Sequence, residues 1–171
     1  MSFLSRLLGT QPDPKDALRP LWHRTVRIAR EPEWYLDCGV PDTIEGRYDM
    51  ITTVLSVLLL RMEQDEALVT PSVRLTELFV DDMDGQLREQ GIGDPALGKH
   101  MGRMVSAMGG RLGAFREAFA EGGAALENAI VRNISLADGA TPAALASRLR
   151  ELARQLETIP AQSLLAAEIV R

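Results

Sequence analysis

Residues 78–111 read LFVDDMDGQLREQGIGDPALGKHMGRMVSAMGGR, and the reading of this stretch decides the fold. Leu75, Leu78, Phe79, Met83 and Leu87 recur at helical spacing, so its first part is the end of a helix. Gly91 supplies a residue that takes positive φ and stops that helix. Asp94 and Pro95 restart one, as N-cap and first helical residue. On the outgoing helix Leu97, Met101, Met104, Val105, Met108, Leu112, Phe115 and Phe119 make one apolar stripe. A second stripe of Gly98, Gly102, Ser106, Gly109 and Gly113 runs beside it. Glycine inside a helix costs about 1 kcal/mol relative to alanine, and the expected offset is close approach by another backbone, within the fold or else along an open groove that takes a client. Lys99, His100, Arg103 and Arg111 take the remaining side, so the spacing predicts an antiparallel hairpin, acidic on one arm and basic on the other.

The acids of the incoming arm, Asp81, Asp82 and Asp84, crowd one turn. Asp82 projects into the sector of Leu75, Phe79 and Met83, where a carboxylate must be paired. It is expected to lie partly buried within reach of Arg88, Arg103 or Arg111. The charged set around the hairpin, Asp82, Asp84, Arg88, Glu89, Asp94, Lys99, Arg103 and Arg111, is the candidate partner-binding surface. The plainer reading is a salt-bridged surface that holds two helices together, and Asp84 with Arg88 at i, i+4 fits it directly. Met83, Met101, Met104 and Met108 carry a similar pair of readings. They fill a core, or they line an adaptable hydrophobic groove in which thioether side chains repack around varied partners.

Outward from the hairpin, the chain reads as all-α. Leu, Ala, Met, Arg and Glu abound, while aromatic residues supply only 5% and β-branched runs are scarce. The 171 residues suit one domain with a real core. The expectation is a single-domain, irregular bundle of six to eight helices over residues 14–171, behind an N-terminal extension over 1–13. At its centre stands a helix over about 44–64, apolar nearly all round from Met50 to Met62 and capped by Asp42 or Thr43. Before it lie a helix to about Arg30, which Pro20 opens or bends, and a short helical piece bearing Trp34 and Tyr35. Residues 65–70 are expected to loop, with Pro71 and Ser72 opening the acidic helix. After the Gly122–Gly123 break come helices over Ala125–Ile134, from Pro142 to Thr158, and a last one through Leu164 to Val170.

Charge is uneven within a net of −5. Residues 1–30 carry six bases and two acids, residues 31–98 four bases and fifteen acids. The acidic total argues against general nucleic-acid binding, whose affinity rests on neutralising phosphates. The amphipathic residues 2–9, with Phe3, Leu4, Leu7 and Leu8, read either as a frayed terminus or as a weak contact to a membrane surface. The longest uncharged run, Met50–Leu60, is eleven residues, short of the roughly 20 a spanning helix needs. With no secretory signal in MSFLSRLLGTQ, the expected location is the cytoplasm, with peripheral contact at the inner face of the cytoplasmic membrane.

Catalytic and metal chemistry find little support. Gly93–His100 nearly fits a phosphate-binding loop, but His100 stands where Ser or Thr should hold magnesium, Asp94 would face phosphate, and no strand precedes it. His23 and His100 share no zinc-ligand spacing, and the acid cluster lacks a glycine-turn loop. Cys38 is alone and reads as a buried thiol. The expectation is a non-enzyme with no cofactor and no metal.

Two runs resemble a known family. DMDGQLREQGIGD with GKHMGRM and the Gly110–Arg111 dipeptide is similar to the signature of the ubiquinol–cytochrome c chaperones. GVPDTIEGRYDMI, from Gly39 to Ile51, is a second match, and the resemblance covers roughly residues 20–135. That family includes the mitochondrial assembly factor for cytochrome b and its alphaproteobacterial relatives. The resemblance implies an assembly chaperone that holds newly made cytochrome b during biogenesis of complex III, with a second assembly factor or the ribosome as further partners. From the residues alone, a helical small-molecule or lipid-binding protein and a structural interaction subunit remain open. The final thirty residues fall outside the resemblance and are free to form an appendage.

Overall fold

The computed structural model describes residues 13–89 and 94–170, and among them there is helix and no strand. A 3-10 turn over Asp16–Leu18 leads into α1 (Arg19–Ala29), α2 (Glu33–Leu36), α3 (Ile44–Met62) and α4 (Glu66–Glu89). Then follow α5 (Asp94–Glu121), α6 (Ala125–Asn133), α7 (Pro142–Glu157) and α8 (Ala161–Leu165). Seven of these are helices of five residues or more, and α2 is a single turn.

The centre is α3, which touches α1, α4, α5 and α7. Ten consecutive residues, Met50 to Leu59, are all buried, so the helix has no wet face along its middle. Two of its polar members are satisfied locally: Thr52 Oγ1 donates to the Tyr48 carbonyl at 3.0 Å and Ser56 Oγ to the Thr52 carbonyl at 2.7 Å, whereas the buried Thr53 hydroxyl has no hydrogen-bond partner among the described residues. Thr43 caps it, its hydroxyl accepting the Gly46 N–H at 3.1 Å. Gly46 itself is required by space, because a Cβ there would collide with the Pro41 carbonyl oxygen. Gly39, which leads into this cap, adopts φ +74° and faces Ala140, a conformation that favours glycine.

Around α3, α1 begins with Pro20 in its first turn, so the proline opens the helix rather than bending it. Trp22 of α1 meets Phe79 of α4 edge-on at 6.0 Å, and Trp34 Nε1 donates to the Ile28 carbonyl at 2.6 Å. Cys38 is buried, as a structural thiol would be.

Two expectations change here. The acidic helix opens at Glu66, with Pro71 inside it, not at Pro71. Asp65 Oδ1 accepts the Ala67 N–H at 3.0 Å and starts the turn early, and Leu68 is fully buried by that turn. Burying a leucine is worth ~1.5–3 kcal/mol, comparable with the ~3 kcal/mol that an interior proline costs. The C-terminal residues are also no appendage. Leu145, Leu149, Leu152, Leu156, Leu164 and Ile169 all join the common core. Arg61 of α3 donates to the Leu156 and Ile159 carbonyls at 3.0 Å, and Arg24 of α1 to the Ile169 carbonyl at 2.6 and 2.9 Å. The last helix ends at Leu165, and Val170 is exposed. The expected stop at Gly91 and the amphipathic residues 2–9 lie outside the described residues.

A groove between the two sequence signatures

The long helix α5 runs unbroken through Gly109–Gly110. Its inward seam is Leu97, Met101, Met104, Met108, Arg111, Phe115 and Ala118, alternating steps of four and three. Arg111, expected on the polar side, therefore sits in the seam and is 6% exposed. Val105, expected in the apolar stripe, is 38% exposed.

The glycine stripe faces outward. Gly98, Gly102, Gly109 and Gly110 are exposed, Gly113 is half-buried, and a Cβ built on any of them meets nothing within 4 Å. The expected close approach of another backbone within the fold is thus overturned. The seam that wins is the one with bulk to bury, and the glycines occupy the sector it leaves to solvent.

Arg111 organises the site. Its Nη1 donates to the Asp49 carbonyl at 2.9 Å and to Thr52 Oγ1, both on α3. Its Nη2 donates to Asp49 Oδ1 at 2.6 Å and to the carbonyl of Asn133, the last residue of α6. The other oxygen of the same carboxylate, Asp49 Oδ2, accepts the Ser135 N–H at 3.0 Å. The two side chains are 7% and 14% exposed, so water screens little of this pair. One planar guanidinium thus ties three helices, and its charge stands at the C-terminal end of α6, where a cation is favoured. Arg111 belongs to the signature that ends in Gly110–Arg111 and Asp49 to GVPDTIEGRYDMI, so the pair joins the two.

Beside this pair a groove of about 660 Å³ opens between the start of α3, the end of α4 and the first half of α5. Ile51, Met83, Leu87 and Met104 give it apolar surface, and Ile44, 75% exposed, stands at its edge. Tyr48 lies half-buried in it, its hydroxyl 3.4 Å from the Met104 carbonyl. Burial pushes the Tyr48 phenol up, the Asp49 charge adding to the effect and Arg111 opposing it. Arg30, Glu45, Arg47 and His100 supply polar walls. The Arg47 guanidinium also hydrogen-bonds Asp42 and holds that carboxyl below the usual carboxylate range.

The predicted site residues are divided by this geometry. Met83 and Met104 line the groove, Met108 is buried in the core, and Met101 is half-buried against it. None of the charged residues singled out from the sequence and described here lines the groove. Asp82 is exposed and accepts from Gln86 Nε2 at 3.1 Å, not from an arginine, which corrects the expected buried pair. Its neighbour Asp84 pairs with Arg88 at 2.8 Å. Glu89 and Lys99 are exposed, and Arg103 is exposed with its Nη2 3.1 Å from His100 Nδ1. Asp94 opens α5. Sequence reasoning missed Ile44, Arg47, Tyr48 and Asp49 as site residues, although they lie within the quoted run GVPDTIEGRYDMI. It also missed the inward place of Arg111, which lies on the alternation of four and three that starts at Leu97.

Among the described residues there is no group of three or more His, Cys, Asp or Glu arranged to hold a metal, and no helix long and apolar enough to cross a membrane. Comparison with curated protein sequences finds no match. A solved structure, the crystal structure of the Cbp3 homolog from Brucella abortus, is similar to this chain with a TM-score of 0.78 and 29% identity. The alignment covers 98% of this chain and 95% of that one. The family model for ubiquinol–cytochrome C chaperones matches residues 36–171, reaching past the roughly 20–135 read from the two runs to include α7 and α8. With both signatures inside that match, the chain belongs to the ubiquinol–cytochrome C chaperone family.

Proposed function

We propose that this chain is a non-enzymatic assembly chaperone that holds newly made cytochrome b for the biogenesis of complex III. In this reading an apolar helical segment of the client enters the groove of Tyr48, Ile51, Met83 and Met104. The observation that carries it is that two signatures, far apart in sequence, are joined by Arg111 and Asp49 and open onto one groove. Its chemistry suits a client made of apolar helices. Methionines can repack, a neutral phenol can pair with a polar edge, and the charged walls oppose indiscriminate association. The exposed charges of Asp82, Glu89, Lys99 and Arg103 remain available for steering or for a second assembly factor. The work is placed at the cytoplasmic face of the membrane that receives cytochrome b.

The test is recovery of cytochrome b with a tagged chain from cells assembling complex III. Ile44→Asp should reduce recovery at least about tenfold if it removes some 1.4 kcal/mol or more of contact. Folding should be spared, because Ile44 is exposed at the first position of α3, where an acid is favoured. Val131→Asp, at an exposed site on α6, is the control and should change nothing. No cytochrome b on the wild-type chain would sink the chaperone reading. Loss with Lys99→Glu and Arg103→Glu but not with Ile44→Asp would move the client to the charged surface.

A further inference from the structure

The end of α3, the second half of α5 and the end of α7 border a groove of about 500 Å³. Its floor is apolar. Val57 is buried, and Leu60, Phe119 and Ala153 pack on the core with one side and line the groove with the other. Phe119 stands edge-on to the fully buried Phe115, ring centres 6.5 Å apart, which holds its ring in place. A second groove of about 330 Å³ shares Phe119, Ala153 and Glu157 with the first and adds Ser147, Arg150 and Arg154. The two make one trough, which follows α7 for about 15 Å from Ser147 to Glu157.

This trough is basic on an acidic chain. Four arginines line it, Arg61, Arg116, Arg150 and Arg154, against two acids, Glu63 and Glu157, although the net charge of the chain is −5. Arg116 cancels Glu63, donating to both carboxylate oxygens at 2.7 and 3.0 Å. Arg61 and Arg150 donate to backbone carbonyls, those of Leu156 and Ile159 and that of Gly123, so their charges are not cancelled. Arg154 Nε reaches the Arg150 carbonyl at 3.4 Å. Among the described residues no acid lies at ion-pair distance from these three. Arg150 and Arg154 stand at i, i+4 on α7, where like charges destabilise a helix unless an anion lies between them. A guanidinium matches a carboxylate in its fork geometry, and a pocket of this size with a few convergent polar groups suits a small ligand.

We propose that this trough binds a long-chain fatty acid, its alkyl chain on Leu60, Phe119 and Ala153 and its carboxylate between Arg150 and Arg154. The cancelled pair of Arg116 and Glu63 walls the chain end of the trough, and the uncancelled charges mark the head end. The trough shares no lining residue with the groove of Tyr48 and Met104, so its failure would leave the client reading untouched.

The experiment is calorimetric titration of the full chain with octanoate, decanoate and dodecanoate, each below its micelle concentration. Dodecanoate should bind once per chain, and each added CH₂ should tighten binding about fourfold, as burial of one methylene does. Arg154→Gln should weaken dodecanoate at least about tenfold through loss of a charge-assisted hydrogen bond, and Arg154→Lys should recover part of that loss. Dodecanol, which has no carboxylate, should bind wild type and Arg154→Gln alike. Ala120→Trp should fill the trough and abolish dodecanoate binding. Arg154 and Ala120 are both exposed, so these variants should keep the wild-type Tm. The proposal is overturned by heats that do not saturate near one per chain, or by equal affinity for the three chain lengths. It is overturned equally if Arg154→Gln binds dodecanoate as tightly as wild type, or if the chain binds phosphatidylglycerol vesicles and no free dodecanoate.

Discussion

Replacing Arg111 with methionine removes every hydrogen bond that joins α5 to Asp49, Thr52 and Asn133 while keeping a long apolar stem in the seam. Asp49, 14% exposed, is left with the Ser135 N–H and no cation. Breaking a buried ion pair from one side typically costs about 3–5 kcal/mol, because the remaining charge stays desolvated. For a chain of this size 1 kcal/mol shifts Tm by about 2–4 °C, so the product is a fall of about 6–20 °C. Thermal unfolding by circular dichroism, with urea unfolding to check that the slope is unchanged, measures it. Arg111→Lys should lie between, since an ammonium retains the charge but cannot fork across three acceptors. The double variant Arg111→Met, Asp49→Leu should be less unstable than the sum of the singles by about 1–3 kcal/mol, because the stranded carboxylate has gone. An Arg111→Met chain melting within about 2 °C of wild type, or strict additivity of the pair, would refute the view that this contact holds the two signatures together.

Gly102→Ala should stabilise the chain by up to about 1 kcal/mol, because the added Cβ faces open space on a helix; a lower Tm would show that another backbone does pack there. Gly46→Ala should do the reverse, losing about 1–3 kcal/mol through overpacking against the Pro41 carbonyl; denaturant midpoints of the two alanine variants decide both. The Asp42–Arg47 pair sets a pH dependence. Hydrogen bonding to Arg47 depresses the Asp42 pKa in the folded chain, so its contribution is present above about pH 4 and fades as pH falls through the lower folded value. Asp42→Asn should therefore flatten the acid side of the stability profile and leave its slope near neutral pH alone, which a series of melts across pH would show.

Much of the architecture was legible because it depends on local pattern. An eleven-residue uncharged run can only be stable as a helix if others surround it, and α3 is so surrounded. Thr43 and Pro142 marked helix starts through chemistry confined to one turn, and both do start helices, although Thr141 makes no side-chain cap ahead of Pro142; between opening and bending its helix, Pro20 opens it. Asp84 with Arg88 was visible for the same reason, being an i, i+4 pair. Pro71 misled because the gain that outweighs it, the burial of Leu68, lies in the core and not in the local sequence.

The site itself was only half legible. Periodicity put apolar residues and glycines on α5 as adjacent stripes, but it carries no information on how wide the buried sector is or where its edge falls. That edge is set by the groups α3 and α6 bring up. The Asp49 carboxylate and the Asn133 carbonyl offer acceptors that draw Arg111 inward, while a Cβ built on Gly98, Gly102 or Gly113 meets nothing within 4 Å. By itself, then, the sequence determined the helices, the central place of α3 and the resemblance carried by two short runs. Which charges are buried, which glycines are needed and where a groove opens were left to the tertiary structure, because desolvation and steric exclusion depend on neighbours distant along the chain.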